Sequence, residues 1–316
     1  MSLDVIDPGD DWNEEERQIR ARRMTMYSVK AVITAREVAR KYVLFPDLKM
    51  VLAAFDRVYQ LSREIGIPQG VLLTGAPGTS KTSVADYFIR SLPSAPDVVD
   101  GFAALYMRLR PSASAGFVVS RVLDAVGHPF TNVRPDRVAP MRDIACEAMQ
   151  QKGTRILFVD EAQCLGLRGR VRAADDRDTS VGNLLRELID RANVALVLLA
   201  DHRLQSLEQV DRALADRVSV RITLAHFNND GVWAAFLGEL ARVTVIDMTL
   251  LTEAAIRTAT HVATGGCRRA VKRLVIEVVL VAVDADANRV TLAHLRLAFQ
   301  RTSGPSNVLP NPYGGA

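Results

Sequence analysis

Metal-ligand clusters and disulfide patterns are what this chain most plainly lacks. Its three cysteines, Cys146, Cys164 and Cys267, lie far apart and without metal-ligand spacing. That predicts buried free thiols in a reducing cytoplasm rather than a disulfide framework. The five histidines, His128, His202, His226, His261 and His294, are just as scattered, so no metal cluster is expected from them. No apolar run reaches the length that spans a bilayer, which predicts no membrane partner. The first residues, Met1-Ser2-Leu3-Asp4-Val5-Ile6-Asp7, are acidic and lack the basic start and apolar centre of a signal peptide. Internal repeats are absent. Lysine is scarce, because the positive residues are mostly arginine, which suits bidentate phosphate contacts.

What is present is 316 residues, 48% of them hydrophobic, with a net charge of +4 and a pI near 9.1. That is enough for one large α/β domain and a smaller one, and it excludes wholesale disorder. The basic balance permits nucleic-acid contact without establishing it.

The most informative stretch is Gly75-Ala76-Pro77-Gly78-Thr79-Ser80-Lys81-Thr82. It follows the apolar run Val71-Leu72-Leu73-Thr74, which reads as a buried strand. It precedes Ser83-Val84-Ala85-Asp86-Tyr87-Phe88-Ile89-Arg90, which reads as a helix with an apolar face. Strand, glycine-rich turn and helix make the setting of a phosphate loop. Small residues let successive backbone N–H groups converge on one anion, and the helix N-terminus adds positive potential. Lys81 would reach the β- and γ-phosphates of ATP, and the Thr82 hydroxyl would ligate Mg²⁺. One residue departs from the usual pattern. Ser80 stands where a glycine normally precedes the lysine, so the backbone there must tolerate a Cβ. The plainer alternative is a glycine turn that binds nothing.

The second informative stretch is Thr154-Arg155-Ile156-Leu157-Phe158-Val159-Asp160-Glu161-Ala162-Gln163, about 80 residues later. Its continuous apolar run fits a strand buried on both faces. The strand end would deliver Asp160 to the Mg²⁺ shell. Glu161, one residue on, could polarise a water in line with the γ-phosphate. Together the two stretches make hydrolysis of Mg-ATP the leading reading.

Around these, periodicity predicts helices over Val29–Lys41, Pro46–Glu64, Ala115–Val126, a segment ending near Gln151, Val181–Ala192 and Leu204–Val218. Further strands are expected within 103–109, Val194–Ala200 and Val218–Leu224. From Phe227 the pattern is all helix: Asp230–Arg242, Thr252–Thr264, Cys267–Ala285 and Thr291–Arg301, with Thr291 a good N-cap. This divides the chain into a helical arm (1–45), an α/β nucleotide-binding domain (46–226), a helical lid (227–301) and a flexible tail rich in Pro and Gly (302–316). The arm carries Trp12 and a basic end, and the charged loop 166–178 carries alternating arginines. Each is either a solvated segment or a contact to DNA or a neighbouring subunit.

Phosphate loop, Asp-Glu strand, a later apolar strand with a polar end, and a helical domain together resemble an AAA+ ATPase over about Val71–Arg301. Within that superfamily the chain looks most like the TniB/TnsC/MuB group of DNA-transposition regulators. The likeness includes Phe45-Pro46, Arg110-Pro111, the run from Val122 to Pro129, Val159-Asp160-Glu161-Ala162-Gln163, and Thr264-Gly265-Gly266-Cys267-Arg268-Arg269. The resemblance implies an AAA+ P-loop NTPase fold: a parallel sheet flanked by helices with a C-terminal helical lid. It implies Asp160 on Mg²⁺ and Glu161 as catalytic base. Asp201 stands where a polar γ-phosphate sensor usually sits, and an acid is unfavourable there. Arg217, with Arg212 in reserve, matches the arginine inserted into the adjacent subunit's site. Arg269 matches the second sensor, which contacts phosphate from the same chain.

Such proteins assemble on double-stranded DNA as ATP-bound rings or filaments and present a target to a transposase. The resemblance therefore implies a homo-oligomer, a transposase partner and an adaptor that selects the target. DNA contacts would be to backbone phosphates without base readout. Arg108, Arg110 and Ser112, in the turn after the second strand, are the first candidates, with Thr131 and Arg134 behind them. Asn311-Pro312-Tyr313 in the tail could dock on a transposase or adaptor. Two other readings stay open: a loader or motor ATPase acting in replication or secretion, and a nucleotide-dependent scaffold that does not hydrolyse.

Overall fold

The computed structural model describes residues 26–92, 103–166, 180–204, 206–244, 246–304 and 310–314. Trp12 and the basic arm, the turn expected at 93–98 and most of the arginine-rich loop 166–178 lie outside the described residues. The chain forms two compact units, Leu44–His226 and Met1–Val43 with Phe227–Ala316.

The first unit opens with α2 (Pro46–Gln60), which follows α1 (Val29–Arg40) of the other unit. Pro46 occupies the first turn, where its missing N–H costs nothing. The helix expected through Glu64 ends earlier, and Leu61–Ile65 form a single π turn that stops at Gly66 in the left-handed region (φ 71°). Then come β1 (Gly70–Gly75), α3 (Lys81–Ser91), β2 (Ala104–Arg108), α4 (Ala115–Ala125), α5 (Val138–Gln151), β3 (Ile156–Asp160), α6 (Ser180–Ala192) and β4 (Ala195–Ala200). The helix expected over Leu204–Val218 is two short ones, α7 (Leu207–Val210) and α8 (Arg212–Arg217). Asp211 breaks them: its backbone is extended and its carboxylate accepts from the N–H of Leu214, capping α8. β5 (Val220–Leu224) closes the unit.

The five strands form one sheet in the order β2-β3-β4-β1-β5, with every pairing parallel. β3 and β4 are buried along their whole length, as central strands covered on both faces must be. Phe55 of α2, Phe88 of α3 and Phe158 of β3 meet edge-on or tilted, with centroids 5.3–5.9 Å apart. This trio fixes the helix behind the phosphate loop against the strand that carries Asp160.

The second unit contains α1, α9 (Gly231–Val243), α10 (Ala254–Thr264), α11 (Arg268–Asp284) and α12 (Leu292–Ser303). α1, expected in a separate arm, packs along α11. The Ser28 N–H donates to Asp284, and Tyr27 donates to Glu277. Thr291 caps α12 as expected, and His294 returns the bond to the Thr291 N–H.

The end of the chain departs most from expectation. Residues 310–314, read as part of a flexible tail, are docked on α10 and α12. Tyr313 is fully buried, its ring edge-on to Phe299 and its hydroxyl 3.1 Å from Thr260 Oγ1. Arg296 donates to the Tyr313 carbonyl at 2.7 Å, and Asn311 donates to the Arg296 carbonyl at 3.1 Å. Burial of one aromatic ring outweighs the weak helix and strand propensities of the segment. Tyr313→Ala is expected to destabilise the helical unit by about 3 kcal/mol through loss of the buried ring, and Tyr313→Phe by about 1 kcal/mol. Urea denaturation followed by the fluorescence of the buried Trp233 tests this. Unchanged midpoints in both variants would show that the docked tail is energetically neutral.

Candidate nucleotide site

β1 runs buried to Gly75, beside Leu224 of β5. A Cβ at Gly75 would lie 2.5 Å from the Leu224 carbonyl oxygen and 2.7 Å from Thr79 Oγ1, so only glycine lets the chain turn there. Thr79 closes the turn, its hydroxyl and N–H both donating to the Ala76 carbonyl at 2.9 and 3.3 Å. Ser80 then adopts φ 69°, ψ 17°. This is the left-handed region, and it explains why a glycine is usual at that position. From Lys81 the chain is helical, so the loop and the start of α3 share one concave turn. The Lys81 ammonium reaches back over the loop to the carbonyls of Gly75 (2.7 Å) and Ala76 (3.1 Å). Pro77 and Gly78 form the apex, and Ser83 is exposed in the first turn of α3.

Parallel pairing brings the end of β3 alongside β2 and β4. Asp160 is buried, and its carboxylate is fully engaged. Oδ2 accepts from Thr82 Oγ1 at 2.8 Å and from the Tyr106 hydroxyl at 2.6 Å, and Oδ1 accepts from the Glu161 N–H at 2.8 Å. Burial, with Asp160 beside it, pushes the Tyr106 phenol well above its ordinary range, so Tyr106 is a donor at neutral pH. Glu161 sits in the left-handed region at φ 58°. Its Oε1 accepts from Arg108 at 2.6 Å, and its Oε2 accepts from the Gln163 amide. The hydrogen bond and charge of Glu161 raise the Arg108 guanidinium further above its usual value. Gln163 is itself buried, and its carbonyl oxygen accepts from the Asp201 N–H at 3.1 Å.

Asp201 ends β4 and is buried. Its carboxylate accepts from the Arg203 N–H at 2.8 Å and from the Arg203 guanidinium at 2.5 Å. The acid expected to disfavour a phosphate is therefore already paired. Arg217 forks onto Asp190 of α6 at 2.9 and 2.6 Å and donates to the Ala213 carbonyl at 3.0 Å. Arg212 begins α8 and is exposed. Arg269, exposed on the first turn of α11, belongs to the other unit.

The residues expected at DNA sit differently from one another. Arg108 is held by Glu161, whereas Arg110 is exposed and lies over the Phe117 ring at 4.3 Å. Ser112 is an exposed turn residue at φ 56°. Thr131 is half-buried and Arg134 exposed in the loop before α5. Thus the fold gathers Lys81, Thr82, Asp160, Glu161 and Arg108 around one point and leaves Arg110, Ser112 and Arg134 on the surface beyond β2.

The Thr82–Asp160 pair fits a hard divalent cation. Mg²⁺ takes oxygen ligands, keeps several waters, and needs only one or two protein groups beside the phosphates. Two engaged side chains, Tyr106 and Arg203, are not singled out in the sequence, and Gln163 appears there only as part of the stretch 159–163. Only the period-two placement of Tyr106 and Arg108 on one face of β2 hinted at a shared role.

A family model described as "Bacterial TniB protein" matches residues 35–228. None of the curated proteins matches the chain. Among solved structures, the Aeropyrum pernix ORC2 protein in ADPNP–ADP complexes is similar at TM-score 0.62 and 13% identity, over 84% of this chain and 71% of that one. The Aeropyrum pernix ORC1 protein in complex with DNA gives 0.61 and 20%, over 85% and 69%. Drosophila ORC bound to DNA gives 0.56 and 14%, over 97% and 72%. At these identities the likeness shows the fold, an AAA+ P-loop NTPase.

Ser80→Gly is expected to keep nucleotide affinity while stabilising the chain by up to about 1 kcal/mol, the left-handed cost less the added freedom of glycine. Thermal unfolding with and without nucleotide tests this. A destabilised Ser80→Gly would mean that the serine contributes more than it strains.

Proposed function

The chain belongs to the bacterial TniB family, and from that membership we propose that it is an ATP-hydrolysing switch that assembles on duplex DNA and presents the target site to a transposase. The observation that carries the reading is the convergence of Lys81, Thr82, Asp160 and Glu161 at the C-terminal ends of β1 and β3. The phosphate loop and the N-terminus of α3 bind the ATP phosphates, with Lys81 leaving the loop carbonyls for the β- and γ-oxygens. Thr82 and Asp160 would hold Mg²⁺, which would supply positive charge beside the phosphates. Tyr106 keeps the Asp160 carboxylate oriented. Glu161 accepts a proton from the attacking water. Arg217, released from Asp190, reaches the site of the next subunit in a ring or filament.

Arg108 joins the two halves of the proposal. Its guanidinium holds Glu161 Oε1, and it ends β2 just before Arg110 and Ser112. A DNA phosphate that draws Arg108 away frees an oxygen of the base. On this reading turnover is slow without DNA and faster on it. Two structural relatives, the Aeropyrum pernix ORC1 protein in complex with DNA and Drosophila ORC bound to DNA, support DNA as the partner. Contacts would be to the backbone, through Arg108, Arg110 and Ser112, with Thr131 and Arg134.

Binding to a labelled random duplex with ATP, a non-hydrolysable analogue, ADP or no nucleotide tests the switch. Tight binding is expected only with ATP or the analogue, independent of sequence and steeply weakened by salt. Lys81→Ala should abolish it, and Arg108→Ala with Arg110→Ala should weaken it. Duplex binding that ignores the nucleotide, or no binding at all, would refute the proposal. On the same reading, Arg108→Ala should raise DNA-free ATP turnover several-fold while blunting stimulation by DNA. Unchanged basal turnover would remove Arg108 as the restraint on Glu161.

A further inference from the structure

Glu161 is held from two sides, and the two holders differ physically. Arg108 reaches it with a long side chain that is 67% exposed, a group free to exchange partners with a passing anion. Gln163 reaches it from two residues along the same turn and is only 5% exposed. Its amide nitrogen donates to Glu161 Oε2. Its carbonyl oxygen accepts from the Asp201 N–H at 3.1 Å, at the end of the neighbouring strand β4. That anchor is itself braced, because the Asp201 carboxylate is bound by the backbone N–H and guanidinium of Arg203. Gln163 thus spans from a backbone group of the central sheet to the carboxylate, with both ends of its amide used. A buried amide has no low-cost alternative partner, so this bond persists when an exposed ion pair does not.

We propose that Gln163 is a positioning residue for hydrolysis, fixing the Glu161 carboxylate against the end of β4 so that one oxygen faces the attacking water once Arg108 lets go. This deepens the ATPase reading and rests on it. The role needs a side chain that donates at one end and accepts at the other. Glutamine supplies this, whereas glutamate would repel the base and methionine would fill the space without bonding. The backbone of Glu161 makes the bridge necessary. At φ 58° the residue leaves the strand in a left-handed turn, so strand geometry alone does not aim its side chain.

The experiment measures kcat and KM for ATP, with and without duplex DNA, in the full chain and in Gln163→Met, Gln163→Glu, Glu161→Gln and the double variant Glu161→Gln/Gln163→Met. Equilibrium nucleotide binding and thermal unfolding are measured alongside. Misplacing a catalytic base costs on the order of 10- to 100-fold in rate. Both Gln163 variants are therefore expected to lose at least about tenfold in kcat, with KM and ATP affinity changed by less than about threefold. In the Glu161→Gln background, Gln163→Met should cost nothing further, because the group it positions is gone. Three results would overturn the assignment: unchanged kcat in a turning-over protein, an equal loss in both backgrounds, or loss of ATP binding together with kcat. A wild-type chain that binds ATP but never hydrolyses it, on or off DNA, would overturn the ATPase reading and the assignment with it. Turnover in the wild type with unaffected variants would sink the assignment alone.

Discussion

Two carboxylates on consecutive residues, at the end of a strand buried on both faces, set the terms for everything near them. Asp160 and Glu161 repel each other, and neither is tolerated in a low-dielectric setting without strong donors. The fold resolves this by giving each acid its own set. Asp160 receives Thr82, Tyr106 and the N–H of its neighbour, whereas Glu161 receives Arg108 and Gln163. The left-handed turn at Glu161 directs the two side chains to different partners. The alternation of β2 then matches them, with Tyr106 and Arg108 two residues apart on one face, one to each acid. Replacing either acid by a neutral residue would leave donors aimed at nothing, which ties the stability of the sheet end to its chemistry.

The parallel sheet is what makes such matching possible. Strands β1, β3 and β4 end together, so a loop from one, an acid pair from the next and a backbone N–H from the third meet without any long connection. The aromatic trio Phe55, Phe88 and Phe158 lies behind that meeting point and keeps α3 in register with β3, as the Thr82–Asp160 bond requires. The same logic of a buried anchor holds in the helical unit, where Tyr313 secures a segment with little secondary structure of its own.

What could be read from the chain beforehand was whatever is written in consecutive residues. The loop from Gly75 to Thr82 and the strand ending in Asp160-Glu161 carry their geometry locally, and the parallel sheet followed from the family resemblance those stretches carry. Partnerships made in three dimensions left no such trace. Tyr106 and Asp190 carry no local mark of their partners, and Gln163 is marked only as part of the stretch 159–163. Arg108 was legible as a cation in a suggestive place, yet nothing local tells whether its partner is a phosphate or Glu161. Asp211 broke a predicted helix because its side chain satisfies the next helix better than its backbone continues the last. The tail misled because a Pro- and Gly-rich composition reports backbone preference and is silent about one ring with a socket to fill.

The asymmetry between the two holders of Glu161 has a kinetic side. An exposed arginine changes rotamer in picoseconds to nanoseconds, whereas moving the buried amide would need the ends of β3 and β4 to part, a collective event of microseconds or longer. Under the proposed switch, an anion bound beyond β2 would reach the acid through one swing of the Arg108 side chain, faster than any rearrangement of the sheet. The clock of the proposed device would be set by how long an anion dwells on the guanidinium.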